Sequence, residues 1–215
     1  MFFSRVTLQL AALPAVMAQK RQYAGGYASH QWLWQLFPQD ETRHFLFREE
    51  TLGSGNQFYL LSQQAPRQDH NLFRVETKPY QPQLRDEMAL QFSLRANPVV
   101  MRQRQRSDVL MDAKQRARQQ GVSGDALWRH QQDAATQWLQ QQGEQRGFTV
   151  AACRVDGYQR HRLYKPGQEN AIQFSSVDFD GLLRITDVSR FMTAVQQGLG
   201  KSKALGCGLL LLRRA

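Results

Sequence analysis

The sequence predicts an α+β fold made of two tandem units, each on the strand–helix–strand–strand plan of ferredoxin-like (RRM-like) domains. Three observations predict it. Strand-length apolar–polar alternations recur in both halves, helical periodicities fall between them, and a proline-bearing connection at Pro79–Leu84 separates the halves. The units are expected to span residues 1–84 and 85–215. A chain of 215 residues with 41% hydrophobic content suits one large domain or two small ones.

In the first unit, Val6, Leu8 and Leu10 alternate with Arg5, Thr7 and Gln9, which predicts a strand over Phe2–Ala11. Ala15-Val16-Met17-Ala18 resembles a signal-peptidase site, but Thr7 and Gln9 interrupt the apolar run that such a leader needs. A loop follows over Leu13–Gly26, with Lys20, Arg21 and the Gly25-Gly26 pair. A helix is expected over Tyr27–Phe37, stopped by Pro38. At about 100° per residue, Leu33, Leu36 and Phe37 share its core face. His30 lies beside that face, then Trp34, then Tyr27, so Tyr27 and His30 project near each other. Strands are expected at Arg43–Glu50 and Gln57–Ser62, around the turn Gly53–Asn56, and more weakly at Phe73–Lys78.

The second unit repeats the plan. Met88–Ala96 alternates as a strand and ends at Asn97-Pro98. Val99–Gln120 is polar and basic, carrying Arg102, Arg104, Arg106, Lys114, Arg116 and Arg118, and reads as a solvated helix or a mobile loop. A helix over Asp125–Gln142, closing at Gly143, carries Leu127, Ala134, Ala135, Trp138 and Leu139 at core spacing. Phe148–Val155 reads as a strand and Asp156-Gly157 as a turn. Tyr158–Lys165 then alternates aromatic and basic residues, including Arg160 and Arg162. That pattern serves a nucleic-acid groove or an edge strand guarded by charge, and the residues leave both open. Ala171–Thr186 supplies more strand, Asp187–Gln197 a last helix, and Leu209–Leu212 a final buried strand.

Between that helix and that strand lies Gly198-Leu199-Gly200-Lys201-Ser202-Lys203-Ala204-Leu205-Gly206-Cys207-Gly208. A plain helix-to-strand turn needs one glycine at the helix end, not four. The tripeptide Gly200-Lys201-Ser202 copies the end of a nucleotide P-loop, but Val195 stands where the first glycine would be, and the segment follows a helix instead of opening one. The remaining reading is a loop that grips a phosphate backbone, with a backbone nest supplemented by Lys201, Ser202 and Lys203.

Charge agrees with that reading. The formal net charge is +10, which favours an anionic partner. Only six of the 28 basic side chains are lysine, and arginine's planar fork suits phosphate contacts and base stacking. The chain lacks an amphipathic basic helix with a wide apolar face, which argues against a membrane surface, and no apolar run approaches a membrane span. Cys153 and Cys207 lie far apart, and the five histidines form no paired motif, so no metal site or other cofactor is expected, and the cytoplasm is the expected compartment.

If the ligand is RNA, no cluster of carboxylates suggests two-metal cleavage. The metal-free route has the RNA's own 2′-hydroxyl attack the adjacent phosphate, leaving a cyclic phosphate and a free 5′-hydroxyl. It needs a proton acceptor, a proton donor and positive charge at the phosphorane. Histidine suits the proton roles because its reference pKa is about 6.5, and a nearby tyrosine can orient the 2′-hydroxyl. Tyr27 and His30 are therefore the candidate catalytic pair. A non-catalytic RNA-binding subunit would use the same basic surface.

The stretch Tyr27-Ala28-Ser29-His30-Gln31-Trp32-Leu33-Trp34-Gln35-Leu36-Phe37-Pro38 resembles the signature helix of the CasE family, the endoribonucleases of type I-E CRISPR systems. Phe45-Leu46-Phe47-Arg48, Leu94-Arg95-Ala96-Asn97-Pro98, Phe179–Asp187 and Gln196–Leu210 match it too, in order. The resemblance implies metal-independent cleavage of precursor CRISPR RNA at the 3′ base of each repeat stem-loop. It also implies retention of the product and assembly with the other Cascade subunits, the enzyme alone being a monomer. It places catalysis on Tyr27 and His30, and RNA contacts on Lys203 and Arg95. Arg102, Arg104, Arg160, Arg162, Lys201 and Ser202 complete the expected RNA surface. One departure stands out. Some relatives have a lysine further along the catalytic helix, whereas here nothing basic except His30 occurs between Arg21 and Arg43.

Overall fold

Residues 1–9, 26–39, 42–52, 55–102, 105–163 and 171–215 are described by a computed structural model. The loop expected over 13–26 falls outside the described residues except for Gly26. So do Leu10 and Ala11 of the first strand, Gly53 and Ser54 of the expected turn, Arg104, and Tyr164 and Lys165.

The first sheet is formed by β1 (Phe2–Leu8), β2 (Phe45–Leu52), β3 (Gly55–Ser62) and β4 (Phe73–Pro79), with helix α1 (Gly26–Trp34) between β1 and β2. Its order is β2-β3-β1-β4, with every neighbouring pair antiparallel. Alternation in β1 works as read: Ser4 and Val6 are buried while Arg5 and Thr7 face out. The buried face carries Val6, Phe58, Leu60 and Phe73, and α1 covers it with Trp32, Leu33 and the following Leu36 and Phe37. Each of these side chains contributes about 1.5–3 kcal/mol by leaving water. Trp32 belongs to this core, although the face read from the sequence omitted it. The helix itself ends at Trp34. The next residues tighten into i→i+3 bonds, Gln35 N–H to the Trp32 carbonyl (3.2 Å) and Phe37 N–H to the Trp34 carbonyl (2.9 Å), before Pro38.

The second sheet is formed by β5 (Ala89–Ala96), β8 (Phe148–Leu163), β9 (Ile172–Ile185) and β10 (Leu210–Arg214), in the antiparallel order β10-β5-β9-β8. Helices α3 (Asp125–Arg146) and α4 (Val188–Gln197) pack on it. Trp138 of α3 stacks on Phe179 of β9 at 5.9 Å, so this tryptophan is core, as its spacing predicted. Both sheets have the ferredoxin-like strand order, and the fold is two such units in tandem.

Three expectations are corrected. Val99–Gln120 is neither loop nor one solvated helix: β6 (Val99–Arg102) and β7 (Gln105–Asp108) form a separate ribbon, and α2 (Val109–Gln119) follows. Asp108 caps α2, accepting from the Leu110 and Met111 amides at 2.8 and 2.9 Å, and Val109, Leu110, Ala113 and Ala117 are buried. Asp156-Gly157 is not a turn. It lies in a register shift within the single 16-residue strand β8, so Tyr158–Leu163 continues that strand and pairs with the first half of β9. The helix expected to close at Gly143 runs one turn further, to Gly147, whose φ of 76° ends it.

The two units meet through β2 and β5. Arg48 donates from Nη1 to Ser93 Oγ (2.8 Å), and Arg95 donates from Nη1 to the Glu49 carbonyl (2.9 Å). Leu46 and Leu61 of the first unit join the second unit's core. Among the described residues no helix is long and apolar enough to cross a membrane.

Gly143 sits where α3 crosses β8. A Cβ there would lie 2.5 Å from the Phe148 carbonyl oxygen. Gly→Ala in an open helix interior stabilises by up to about 1 kcal/mol. Here the sign is expected to reverse: Gly143→Ala should lower stability by about 1–3 kcal/mol in urea titration, because helix and strand must separate.

Candidate active site

The loop after α4 is shaped by positive φ at Gly198, Gly200, Gly206 and Gly208, and also at Ser202 (55°). Two close approaches explain the glycines best. A Cβ on Gly198 would come within 2.9 Å of both the Gly208 carbonyl oxygen and a Leu46 methyl, and one on Gly206 would press on the Phe47 ring at 3.2 Å. Leu46 and Phe47 belong to β2, so the loop of the second unit lies directly on the first unit.

Several of the loop's amides are committed to the fold. Leu199 N–H donates to the Gly208 carbonyl (3.0 Å), Lys201 N–H to that of Asn97 (3.3 Å), and Gly208 N–H to that of Arg95 (2.7 Å). Leu205 and Cys207 both donate to the Ser202 carbonyl. These amides are thus spent internally, and Lys201 and Lys203 add positive charge to the loop. The buried Asn97 donates from Nδ2 to Ser202 Oγ (2.8 Å), which fixes that left-handed residue. Lys203 opens a short 3₁₀ turn, Lys203–Leu205, which packs against both α1 and β2.

That contact brings the loop to the helix of His30. The imidazole is half-buried, edge-on to Trp34 (5.4 Å between ring centroids) and stacked on Phe45 of β2 (6.2 Å). Ser29 ties the same helix to β2 by donating to Glu49 Oε2 at 2.7 Å. Tyr27 lies in the first turn of α1, three residues before His30.

The lysine of this junction has a cationic neighbourhood. The Lys203 amine is held below its ordinary pKa by burial, and then by the positive charges of Arg43, Arg146 and Lys201. Arg43 and Arg146 are themselves lowered by burial. The sequence reading missed both, since neither belongs to a motif. The one trace in the sequence was Arg43's place two residues before the Phe45–Arg48 match.

The other expected residues distribute as follows. Arg160 and Arg162 are exposed on β8, and Lys201 is exposed on the loop. With Arg106, Tyr158 and Phe174 they line a groove of about 750 Å³ running from the β6–β7 ribbon to Ser202. Both readings of Tyr158–Leu163 fit the fold: β8 is the edge strand of the second sheet, and its basic residues also line this groove. Asp108 clamps the ribbon to the groove floor, accepting from Tyr158 Oη (3.0 Å) and from Ser175 Oγ. Burial, and then the Asp108 charge, push the Tyr158 phenol up to about 12. Arg102 is exposed at the ribbon's tip and shares Asp112 with Arg116. Arg95 is less available. Nε and Nη2 donate to the two Asp178 carboxylate oxygens, both at 2.8 Å, and Nη1 is taken by Glu49. The bond to Asp178 raises its pKa. The geometry places Arg95 as a tie between β5, β9 and β2. Among the described residues no three His, Cys, Asp or Glu side chains gather as a metal-binding group.

A basic groove on the second ferredoxin-like unit, with a cationic turn from the same unit packed against the helix of His30, defines a class of protein suited to holding a polyanion. Comparison with known proteins narrows the class. The family described as "CRISPR associated protein" matches residues 1–214. The Cascade subunit CasE of Escherichia coli (strain K12) is 32% identical over 191 residues, covering 86% of this chain and 90% of that one. The crystal structure of the CRISPR-associated protein Cas6e from Escherichia coli str. K-12 superposes with a TM-score of 0.68 at 26% identity over the whole of both chains. A CRISPR endoribonuclease Cse3 bound to 19 nt RNA shares the fold, with a TM-score of 0.76 at 22% identity over 99% of this chain and 100% of that one. The chain belongs to the CasE family of CRISPR-associated proteins.

The lowered Lys203 pKa has a measurable consequence. If Lys203 holds an RNA phosphate, as the sequence reading expects, binding favours the ammonium, so RNA affinity should be full while Lys203 is protonated and fall as pH rises through its pKa. Because that pKa lies below the ordinary lysine value, the fall should begin at lower pH than for an ordinary lysine. RNA titrations at fixed ionic strength, from neutral to pH ~10, should show it. Lys203→Arg, which keeps its proton throughout, should remove it.

Proposed function

We propose that this protein is a metal-independent endoribonuclease. It cuts precursor CRISPR RNA at the 3′ base of the repeat stem-loop and keeps the mature product as a Cascade subunit. The observation that carries this reading is the packing of the His30 helix against the Lys203 turn: a proton-transfer group and a phosphate-binding cation share one junction. The names of the relatives, a Cascade subunit and a CRISPR endoribonuclease bound to RNA, support the same reading.

In the mechanism, the 2′-hydroxyl gives up its proton as its oxygen attacks the adjacent phosphorus. The bond from phosphorus to the 5′ oxygen breaks, and that oxygen takes a proton. The products are a 2′,3′-cyclic phosphate and a 5′-hydroxyl. His30 carries out proton transfer, and Tyr27 orients the attacking hydroxyl. Lys201, Ser202 and Lys203 hold the phosphates flanking the cut. Arg102, Arg104, Arg160 and Arg162 follow the stem backbone, reading A-form shape more than base edges, while Arg95 keeps β2, β5 and β9 in register beneath it. We assign residues 1–84 to the domain with the catalytic helix and 85–215 to the domain with the glycine loop. The protein works in the cytoplasm and is a monomer before assembly.

Two measurements test this reading. In EDTA, the unaltered protein should cut a hairpin of its own repeat, and His30→Ala should slow cutting by about 10²–10⁴-fold. Undiminished cutting by the variant removes His30 from the mechanism. A hairpin with a 2′-deoxy nucleotide before the scissile phosphate should bind normally and stay whole. Ordinary RNA left intact by the unaltered protein would instead make it a non-catalytic RNA-binding subunit.

A further inference from the structure

The metal-free cleavage proposed above builds negative charge on the phosphorane, and α1 carries no lysine to meet it. The structure offers a different cation. Arg43 stands two residues before Phe45, whose ring supports the His30 imidazole. Its Nη1 is buried, and it has no hydrogen-bond partner among the described residues. The neighbouring interior guanidinium groups are provided for: Arg48 by Glu50 and Ser93, Arg95 by Asp178 and Glu49. Arg146, which also acts on Lys203, donates to the Gln142 carbonyl at the end of its own helix (3.4 Å). Arg43 thus has a buried donor that nothing among the described residues uses. A buried, unsatisfied cation is costly, and its positive neighbour Lys203 adds to that cost. An anion bound at the junction of α1, β2 and the 3₁₀ turn would offset both.

We propose that Arg43 is a catalytic residue of this site: its guanidinium donates to the non-bridging oxygens of the scissile phosphate and takes the role that a helix lysine would otherwise fill. The inference rests on the nuclease reading. Arg43 forms no covalent bond and keeps its proton throughout. The proton from O2′ and the proton to O5′ move through other groups. The planar fork spans two phosphate oxygens at once, which a lysine ammonium cannot do.

The test compares Arg43→Ala and Arg43→Lys with the parent in metal-free, single-turnover cleavage of the repeat hairpin. Affinity is measured on the 2′-deoxy hairpin. At saturating protein, Arg43→Ala is expected to cut about 10²–10³-fold more slowly with little change in affinity, the pattern of an interaction made only in the transition state. Millimolar guanidinium chloride should restore part of the lost rate, and equal sodium chloride should not. Arg43→Lys keeps charge and most of the volume, so it carries the test if the alanine variant does not fold. It should melt like the parent yet cut at least about tenfold more slowly. A parental rate in either variant overturns the proposal. So does a rate loss matched by an equal affinity loss, or one that guanidinium leaves unchanged in a folded protein. A parent that never cuts the hairpin removes the nuclease reading itself, whereas a parent that cuts as fast as its Arg43 variants removes only the role of Arg43.

Discussion

The absence of side chains at Gly198 and Gly206 is the constraint on which the rest of the site depends. A methyl group at either position would meet Leu46 or Phe47 of β2. Without them, the loop settles on the first unit, and its 3₁₀ turn reaches α1. Hydrogen bonds from Leu199 to Gly208 and from Gly208 to Arg95 then close the loop on β5, so that its backbone belongs to the fold and its lysines project from a rigid support. Gly198 and Gly206 are required by this close approach.

The same economy governs the charges. Asp178 of β9 ties Arg95 of β5, Glu50 holds Arg48 within β2, and Asp108 fastens the β6–β7 ribbon. Arg43, Arg146, Lys201 and Lys203 are left close enough for their charges to bear on one another. Repulsion at Lys203, and burial of Lys203, Arg43 and Arg146, raise the free energy of that cluster, and a bound anion would relieve both. On the proposed function this would be electrostatic preorganisation: charges ordered before the ligand arrives need little reorganisation when charge develops on the phosphorus.

Much of this was legible in the sequence, and the limits follow from the range of the interactions. Alternation in β1 and β5 and the spacing of Leu33, Leu36, Trp138 and Leu139 are local patterns, and they gave the two units and their cores. The ribbon and α2 were not legible, because a polar segment is ordered here by Asp108 reaching Tyr158 and Ser175, residues far along the chain. The glycine of Asp156-Gly157 was read as a turn because bulges and turns both use its positive φ. Helix α3 outran Gly143 because that glycine serves helix–strand contact, not termination. His30 and the glycine loop could be singled out from motif and composition. Arg43 and Arg146 could not, since their importance arises only when distant segments pack.

The measurement that reaches the central claim most directly is a crystal structure of the protein with the 2′-deoxy repeat hairpin, which holds the uncut linkage in place. The scissile phosphate should lie between the His30 imidazole and the Lys203 amine, within hydrogen-bonding reach of each. A scissile phosphate seated along the β6–β7 ribbon, remote from α1, would contradict the account.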